Sequence, residues 1–207
     1  QFIRSYFPKL VQLVSNPGWN SISSMTLGSS EGGYKINLWY VNHLGDVIYD
    51  NWVPKDSVIQ DRAELNSIYF HTIIHEFCHI FHQKVAYSNE FNQITGTNYL
   101  GGMWTSEFSS ETDPQIYALG FVTAYASYSA DEDFAETFST YICDTPEEFD
   151  AILSKAGISG KSKISSKLRT IREYFKKNWN LDIDALRNTV QKREANIANI
   201  NFDDISL

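Results

Sequence analysis

The sequence predicts an α+β protein, with a small antiparallel sheet, one histidine-rich helix and a mostly helical C-terminal half. Three observations carry that prediction. Ile36, Leu38 and Tyr40 alternate with Lys35, Asn37 and Trp39, the period of a half-buried strand. Four of the five histidines crowd into residues 71–82, where Ile73, Ile74, Phe77, Cys78 and Phe81 give a helix a buried face. From Ser129 onward apolar residues recur at helical spacing almost to the end.

In chain order, Ile3, Phe7, Leu10, Val11 and Val14 form a stripe that predicts a helix over residues 3–14, ended by Asn16-Pro17-Gly18. Three short segments follow, at 21–27, 34–41 and 46–53, separated by residues 28–33 and 42–45; they predict a meander. The histidine-rich helix is expected over residues 61–85. Residues 86–129 are rich in Gly, Ser, Thr, Asn and aromatics, and connections of this length are usually functional or disordered. Trp104, Phe108, Tyr117 and Phe121 favour order. Ser129-x-x-Glu132 is a capping-box pattern that opens a helix bearing Phe134, Phe138, Tyr141 and Ile142. Thr145-Pro146-Glu147-Glu148 opens the next, which Gly157 is expected to close. Ile164, Leu168, Ile171 and Phe175 mark a third helix, and Leu186, Val190 and Ile197 a fourth.

The chain has 207 residues, room for a real core. We expect one catalytic domain over 1–207, comprising a sheet and motif helix (1–85), a cleft-forming insert (86–129) and a helical part (130–207). The formal net charge of −8 argues against nucleic acid and anionic membrane surfaces as partners. Ten of the 17 Lys and Arg fall between positions 161 and 193, but six acidic residues lie between 161 and the C-terminus, so the region reads as solvated helix faces. Two cysteines, Cys78 and Cys143, exclude a disulfide framework, leaving open a single bridge between them. No apolar run is long enough to span a membrane. The first residue is Gln, which leads us to expect a processed or truncated product.

His75-Glu76-x-x-His79 carries the chemistry. On a helix His75 and His79 project from one face, one turn apart, so both imidazoles can reach one ion. Glu76 is turned about 100° around the axis, where it can meet a water on that ion. Two neutral nitrogens holding a tetrahedral ion, with a carboxylate to take a proton from water, is the layout of a zinc hydrolase. His71 and His75 are also four apart, but Thr72 occupies the place of their base. His82 is two turns from His75, roughly 10 Å, too far to share an ion. His71 and His82 are therefore read as flanking residues, with a place behind the ligands left open to them. The same run also fits a core helix whose histidines are individually hydrogen-bonded.

A catalytic zinc normally takes three protein ligands. The richest acidic cluster downstream is residues 129–136, where Glu132 and Glu136 share a helical face. That pair suits a ligand followed by a carboxylate bonded to a ligating imidazole. Glu132 also fits a simpler role as the partner of a Ser129 cap.

His75-Glu76-Phe77-Cys78-His79, followed by Tyr125-Ala126-Ser127 and Glu132-Asp133-Phe134-Ala135-Glu136, resembles the gluzincin metallopeptidases. With Leu119-Gly120-Phe121-Val122-Thr123 leading into it, the second segment is similar to the putative zinc-binding metallopeptidase family of Bacteroidetes surface lipoproteins. The match covers about residues 70–142. The resemblance implies a zincin-like fold and a zinc endopeptidase acting on protein or peptide. It implies His75, His79 and Glu132 as Zn2+ ligands, Glu76 as general base, Tyr125 as donor to the developing oxyanion and Glu136 as a carboxylate behind a ligand. It also implies an extracytoplasmic location, at the cell surface or in the periplasm, and leaves open a lipid anchor upstream of Gln1. The interval from His79 to Glu132 is longer than in the shortest gluzincins, so the insert is expected to reshape the cleft. An extended substrate is expected to pair with residues 34–41 as an edge strand. The rival readings are a catalytically silent binding module on the same scaffold and a zinc hydrolase with a non-peptide substrate.

Overall fold

A computed structural model of the chain describes residues 8–14, 18–21, 24–39, 70–108, 110 and 113–195. Within them the architecture is α+β, as the sequence predicts. Five short strands come first: β1 (Leu10–Val14), β2 (Gly18–Ser21), β3 (Ser24–Thr26), β4 (Gly28–Glu31) and β5 (Lys35–Trp39). β4 and β5 form an antiparallel hairpin whose turn needs left-handed backbone at Gly32 and Gly33, φ 57° and 69°. β1 joins β5 in parallel, giving the order β1-β5-β4, while β2 and β3 form a separate antiparallel pair.

Three expectations are corrected here. Residues 10–14 form a strand, not the end of a helix; Leu-Val-Gln-Leu-Val pairs along its length with β5, and tertiary pairing overrides a chance helical stripe. The sheet is consequently mixed rather than antiparallel. Residues 28–31, expected to separate two strands, are themselves a strand, because Gly28, Ser29 and Ser30 pair through backbone while Asn37 Nδ2 donates to Ser29 Oγ (3.0 Å) and Glu31 Oε1 (2.7 Å). β5 therefore lies between two neighbours, and among the described residues β4 carries the sheet edge on the helix side. The expected strand at 46–53 lies outside the described residues.

The motif helix is α1 (His71–Lys84); its expected first residues, 61–69, lie outside the described ones. The 86–129 segment is folded into short pieces: α2 (Glu90–Thr95), a 3-10 turn over Gly101–Met103, α3 (Trp104–Glu107), α4 (Pro114–Leu119) and a 3-10 turn over Tyr125–Ser127. Then come α5 (Ala130–Cys143), α6 (Pro146–Lys155), α7 (Gly157–Trp179) and α8 (Ile183–Ala195). The Ser129 hydroxyl caps α5 by accepting from Glu132 N–H, and Thr145 and Glu148 form a reciprocal capping box on α6, as the sequence predicts. Gly157, expected to end α6, instead opens α7, and Asn180 ends that helix in the left-handed conformation.

The core is aromatic. Phe81 of α1 packs edge-on to Phe175 and Trp179 of α7, and Phe138 of α5 stacks on Phe175 at 4.6 Å. Phe134 of α5 stacks on Tyr87 and meets Phe91 and Tyr174 edge-on. Each such pair contributes about 0.5–1.5 kcal/mol beyond the area it buries. Together they fix α1 against α5, whose residues 133–143 are all buried. Cys78 and Cys143 are both buried and are not bridged to each other, which answers the open question of a disulfide. Among the described residues no helix is long and apolar enough to cross a membrane.

Candidate metal centre

α1 and α5 run side by side and present their polar residues to each other. His75 Nε2 and His79 Nε2 lie 2.9 Å apart. Glu132 Oε2, from the first turn of α5, is 3.0 Å from the former and 3.2 Å from the latter. The capped start of α5 puts Glu132 there, since Ser129 sets the backbone register and the helix dipole favours an acidic first turn. Only half of the capping-box reading is met: Ser129 Oγ accepts from the Glu132 N–H, but the Glu132 carboxylate faces α1 instead of reaching back to the cap.

Three lone-pair atoms meeting at one point call for a positive charge among them. Within this set, the charge falls on the histidine. The His75 imidazole is pushed up to about 10; burial opposes the cation, but bonds to Glu132 and Glu136 outweigh it. Glu132 is held at about 2, its own burial overcome by the bonds to His75 and His79. A metal cation answers the same demand. Tetrahedral zinc, with bonds of roughly 2.0–2.1 Å, sets its ligand atoms about 3.4 Å apart, within a few tenths of an ångström of this triangle. Two imidazoles and a carboxylate are also a donor set that zinc accepts.

Behind the triangle His75 Nδ1 meets Glu136 Oε1 at 2.6 Å. Glu136 is buried, which favours its neutral form, yet His71 and His75 hold its carboxyl well below the usual range. Its other oxygen accepts from Thr123 Oγ1 at 2.7 Å, and that hydroxyl also accepts from Ala126 N–H at 3.1 Å. Thr123 thereby ties the turn carrying Tyr125 to Glu136. His71 Nε2 lies 3.1 Å from both Glu136 Oε1 and Ser139 Oγ. His71, His75 and Glu136 make a second cluster of ligand-type atoms. There, however, Glu136 already serves two histidines and a threonine. His82 Nε2 sits 2.5 Å from His79 Nδ1, and burial, then the neighbouring His79, lowers its pKa to about 4.

Glu76 is buried against β4. Burial raises its carboxyl above the usual range, and the Ser30 hydroxyl hydrogen-bonds it. Its Oε2 is buried without a hydrogen-bond partner among the described residues. Strand β4 is held there by Gln83, which donates to Ser30 O and Oγ and accepts from Gly33 N–H at 2.7 Å. Gly28 makes the approach possible: a Cβ at that position would stand 2.6 Å from Glu76 Cγ. Tyr125 opens its 3-10 turn with the ring 6.0 Å from that of His75 and Trp104 edge-on at 5.3 Å. Burial, then the charges of Glu132, Glu136 and Glu76, keeps the phenol protonated well past neutrality. Leu100 N–H and Gly101 N–H donate to Ser127 O and Tyr128 O, so the insert is strapped onto the Tyr125 turn.

The fold thus brings together all six residues singled out by the sequence: His75, Glu76, His79, Tyr125, Glu132 and Glu136. Sequence reasoning missed Gly28, Ser30, Gln83 and Thr123. Of these only Thr123 left a signal, lying within the Leu119-Gly120-Phe121-Val122-Thr123 stretch that carries the family resemblance.

A family described as "Putative zinc-binding metallo-peptidase" matches residues 1–184. Among solved structures, a putative zinc-binding metallo-peptidase from Bacteroides caccae ATCC 43185 superposes with a TM-score of 0.73 at 29% identity, over 99% of this chain and 72% of that one. No curated protein matches the chain.

Proposed function

Because the chain belongs to the putative zinc-binding metallo-peptidase family, we propose that it is a zinc-dependent endopeptidase of the HExxH, gluzincin type. The observation that carries the proposal is the triangle of His75 Nε2, His79 Nε2 and Glu132 Oε2, all within 3.2 Å of one another. Those three residues would hold the ion. A bound zinc supplies Lewis acidity: it brings the pKa of a coordinated water to about 7 and polarises a carbonyl.

The chain's own residues do the rest. Glu76, with a raised pKa and one oxygen lacking a hydrogen-bond partner among the described residues, accepts the proton of the attacking water and returns it to the leaving amine. Ser30 and the close backbone at Gly28 hold that carboxylate in one position. Tyr125, a phenol protonated at neutral pH, donates to the oxygen that gains charge, a role worth about 2.7–4 kcal/mol for one such donor. The Glu136 carboxylate, 2.6 Å from His75 Nδ1, backs that ring and would keep Nε2 toward the ion. An extended peptide pairs with the edge of β4, the strand that lies against Glu76, rather than with β5.

Digestion of a peptide library by zinc-loaded protein, beside the Glu76→Gln variant, tests this reading. We expect cleavage by the wild type alone, with zinc content equal in both. Cleavage retained in Glu76→Gln would remove the general base from the mechanism.

A further inference from the structure

The proposed chemistry leaves His82 without a task. Its Nε2 lies 2.5 Å from His79 Nδ1, and the two rings, three residues apart on α1, meet edge to face with centroids 4.8 Å apart. A neutral imidazole has one N–H and one lone pair. If His79 offers the lone pair of Nε2 to an ion, its proton sits on Nδ1 and is donated to His82 Nε2. That donation fixes His82 as well, with its proton on Nδ1. The ring of His82 is lodged edge-on between Tyr87, at 5.7 Å, and Phe134, at 6.1 Å, and Tyr87 is itself pinned by donating to Asp131 Oδ1 at 2.6 Å.

We propose that His82 is the positioning residue of His79, orienting its ring and fixing its tautomer through an N–H···N bond. The two ligands are then unequal. His75 is backed by the Glu136 carboxylate, whereas His79 is backed by a neutral imidazole, a weaker acceptor that raises the basicity of its ligand less. The sequence already admits a place for His82 behind a ligand, and the geometry adds which nitrogens face each other.

The inference rests on the zinc reading, and its test separates the two. Zinc affinity of the full chain is measured by competition with a chromophoric chelator for wild type, His82→Leu and His82→Gln. Proton-detected 15N spectra of zinc-loaded wild type report the tautomers. We expect one tight zinc in the wild type and binding weaker by roughly 10- to 100-fold in His82→Leu. His82→Gln, whose amide oxygen can accept from His79, should recover most of the loss, which a merely structural role would not produce. The spectra should place protons on Nδ1 of both His79 and His82. Affinity in His82→Leu equal to wild type, or a His82 proton on Nε2, overturns the inference and leaves the zinc site standing. Should His82→Leu fail to fold, the wild-type spectra decide alone. A wild type that binds no zinc removes the site itself and the inference with it.

Discussion

The smallest feature with the largest consequence is a missing Cβ. Gly28 lets strand β4 pass so close to α1 that a methyl group there would meet Glu76 Cγ at 2.6 Å, Glu76 Oε1 at 2.8 Å and Thr72 Cγ2 at 2.8 Å. Gly28→Ala must push the carboxylate aside. It should lower kcat by roughly 100-fold, the scale of an ångström's misplacement, with zinc content unchanged; full activity would show that Glu76 needs no such seat. Tyr125→Phe should likewise cost roughly 10²–10³ in kcat with little change in KM, as expected of a donor used only in the transition state. The histidines supply a pH prediction for chelated protein. The His75 pKa is raised from 6.5 to about 10, so its contribution to stability is full below 6.5 and disappears as pH rises through 10. The Glu132 pKa is lowered from 4.5 to about 2, so its share is full above 4.5 and disappears as pH falls through 2. The His82 pKa is lowered from 6.5 to about 4, so that residue costs stability as pH falls from 6.5 through 4. Metal-free stability should therefore be highest near pH 6.5, and His75→Asn should flatten the alkaline arm of a denaturation series. At this scale the residues of the candidate triangle were legible because helical spacing and a cap place them. Gly28 was not, because its partner is 48 positions away and no local pattern records a close approach.

At the scale of elements, the start of α5 is held in place by a buried ion pair. Lys167 of α7 and Asp133, the residue after Glu132, are both fully buried with Nζ and Oδ2 2.6 Å apart. Tyr99 O–H donates to the same carboxylate, Thr137 O–H donates to its other oxygen, and Lys167 Nζ also donates to Gly120 O. The ammonium lies 4.4 Å from the centre of the Phe121 ring. One pair thus joins α5, α7 and two parts of the insert. Lys167→Met should destabilise the fold by about 3–5 kcal/mol, because it strands a buried carboxylate. Adding Asp133→Asn should recover part of the loss, a coupling that a double-mutant cycle by urea denaturation would measure; strictly additive losses would contradict it. The sequence places Asp133 in the acidic stretch after Ser129 but gives no sign of its partner, since a lysine on a helix with basic neighbours reads as solvated. The motif helix and the C-terminal helices were legible from caps and apolar spacing, whereas α2, α3 and α4 were not, being short pieces without an apolar stripe. β1 was not, because its Leu and Val residues fit a helical stripe and only pairing with β5 makes them a strand.

Over the whole molecule, the aromatic core and the site are one construction. Phe81, Phe134, Phe138 and Phe175 set the distance between α1 and α5, and that distance sets the ligand triangle. An ion bridging two helices from opposite sides of that gap should stabilise the native state by mass action, about 4.1 kcal/mol at free zinc 1,000 times Kd. The most direct test of the account is X-ray absorption at the zinc edge of the loaded protein, compared with Glu132→Ala. We predict a four-coordinate ion with two imidazole nitrogens at roughly 2.0–2.1 Å and a carboxylate oxygen that the variant loses. A first shell without two imidazoles, or one that Glu132→Ala leaves unchanged, would contradict it.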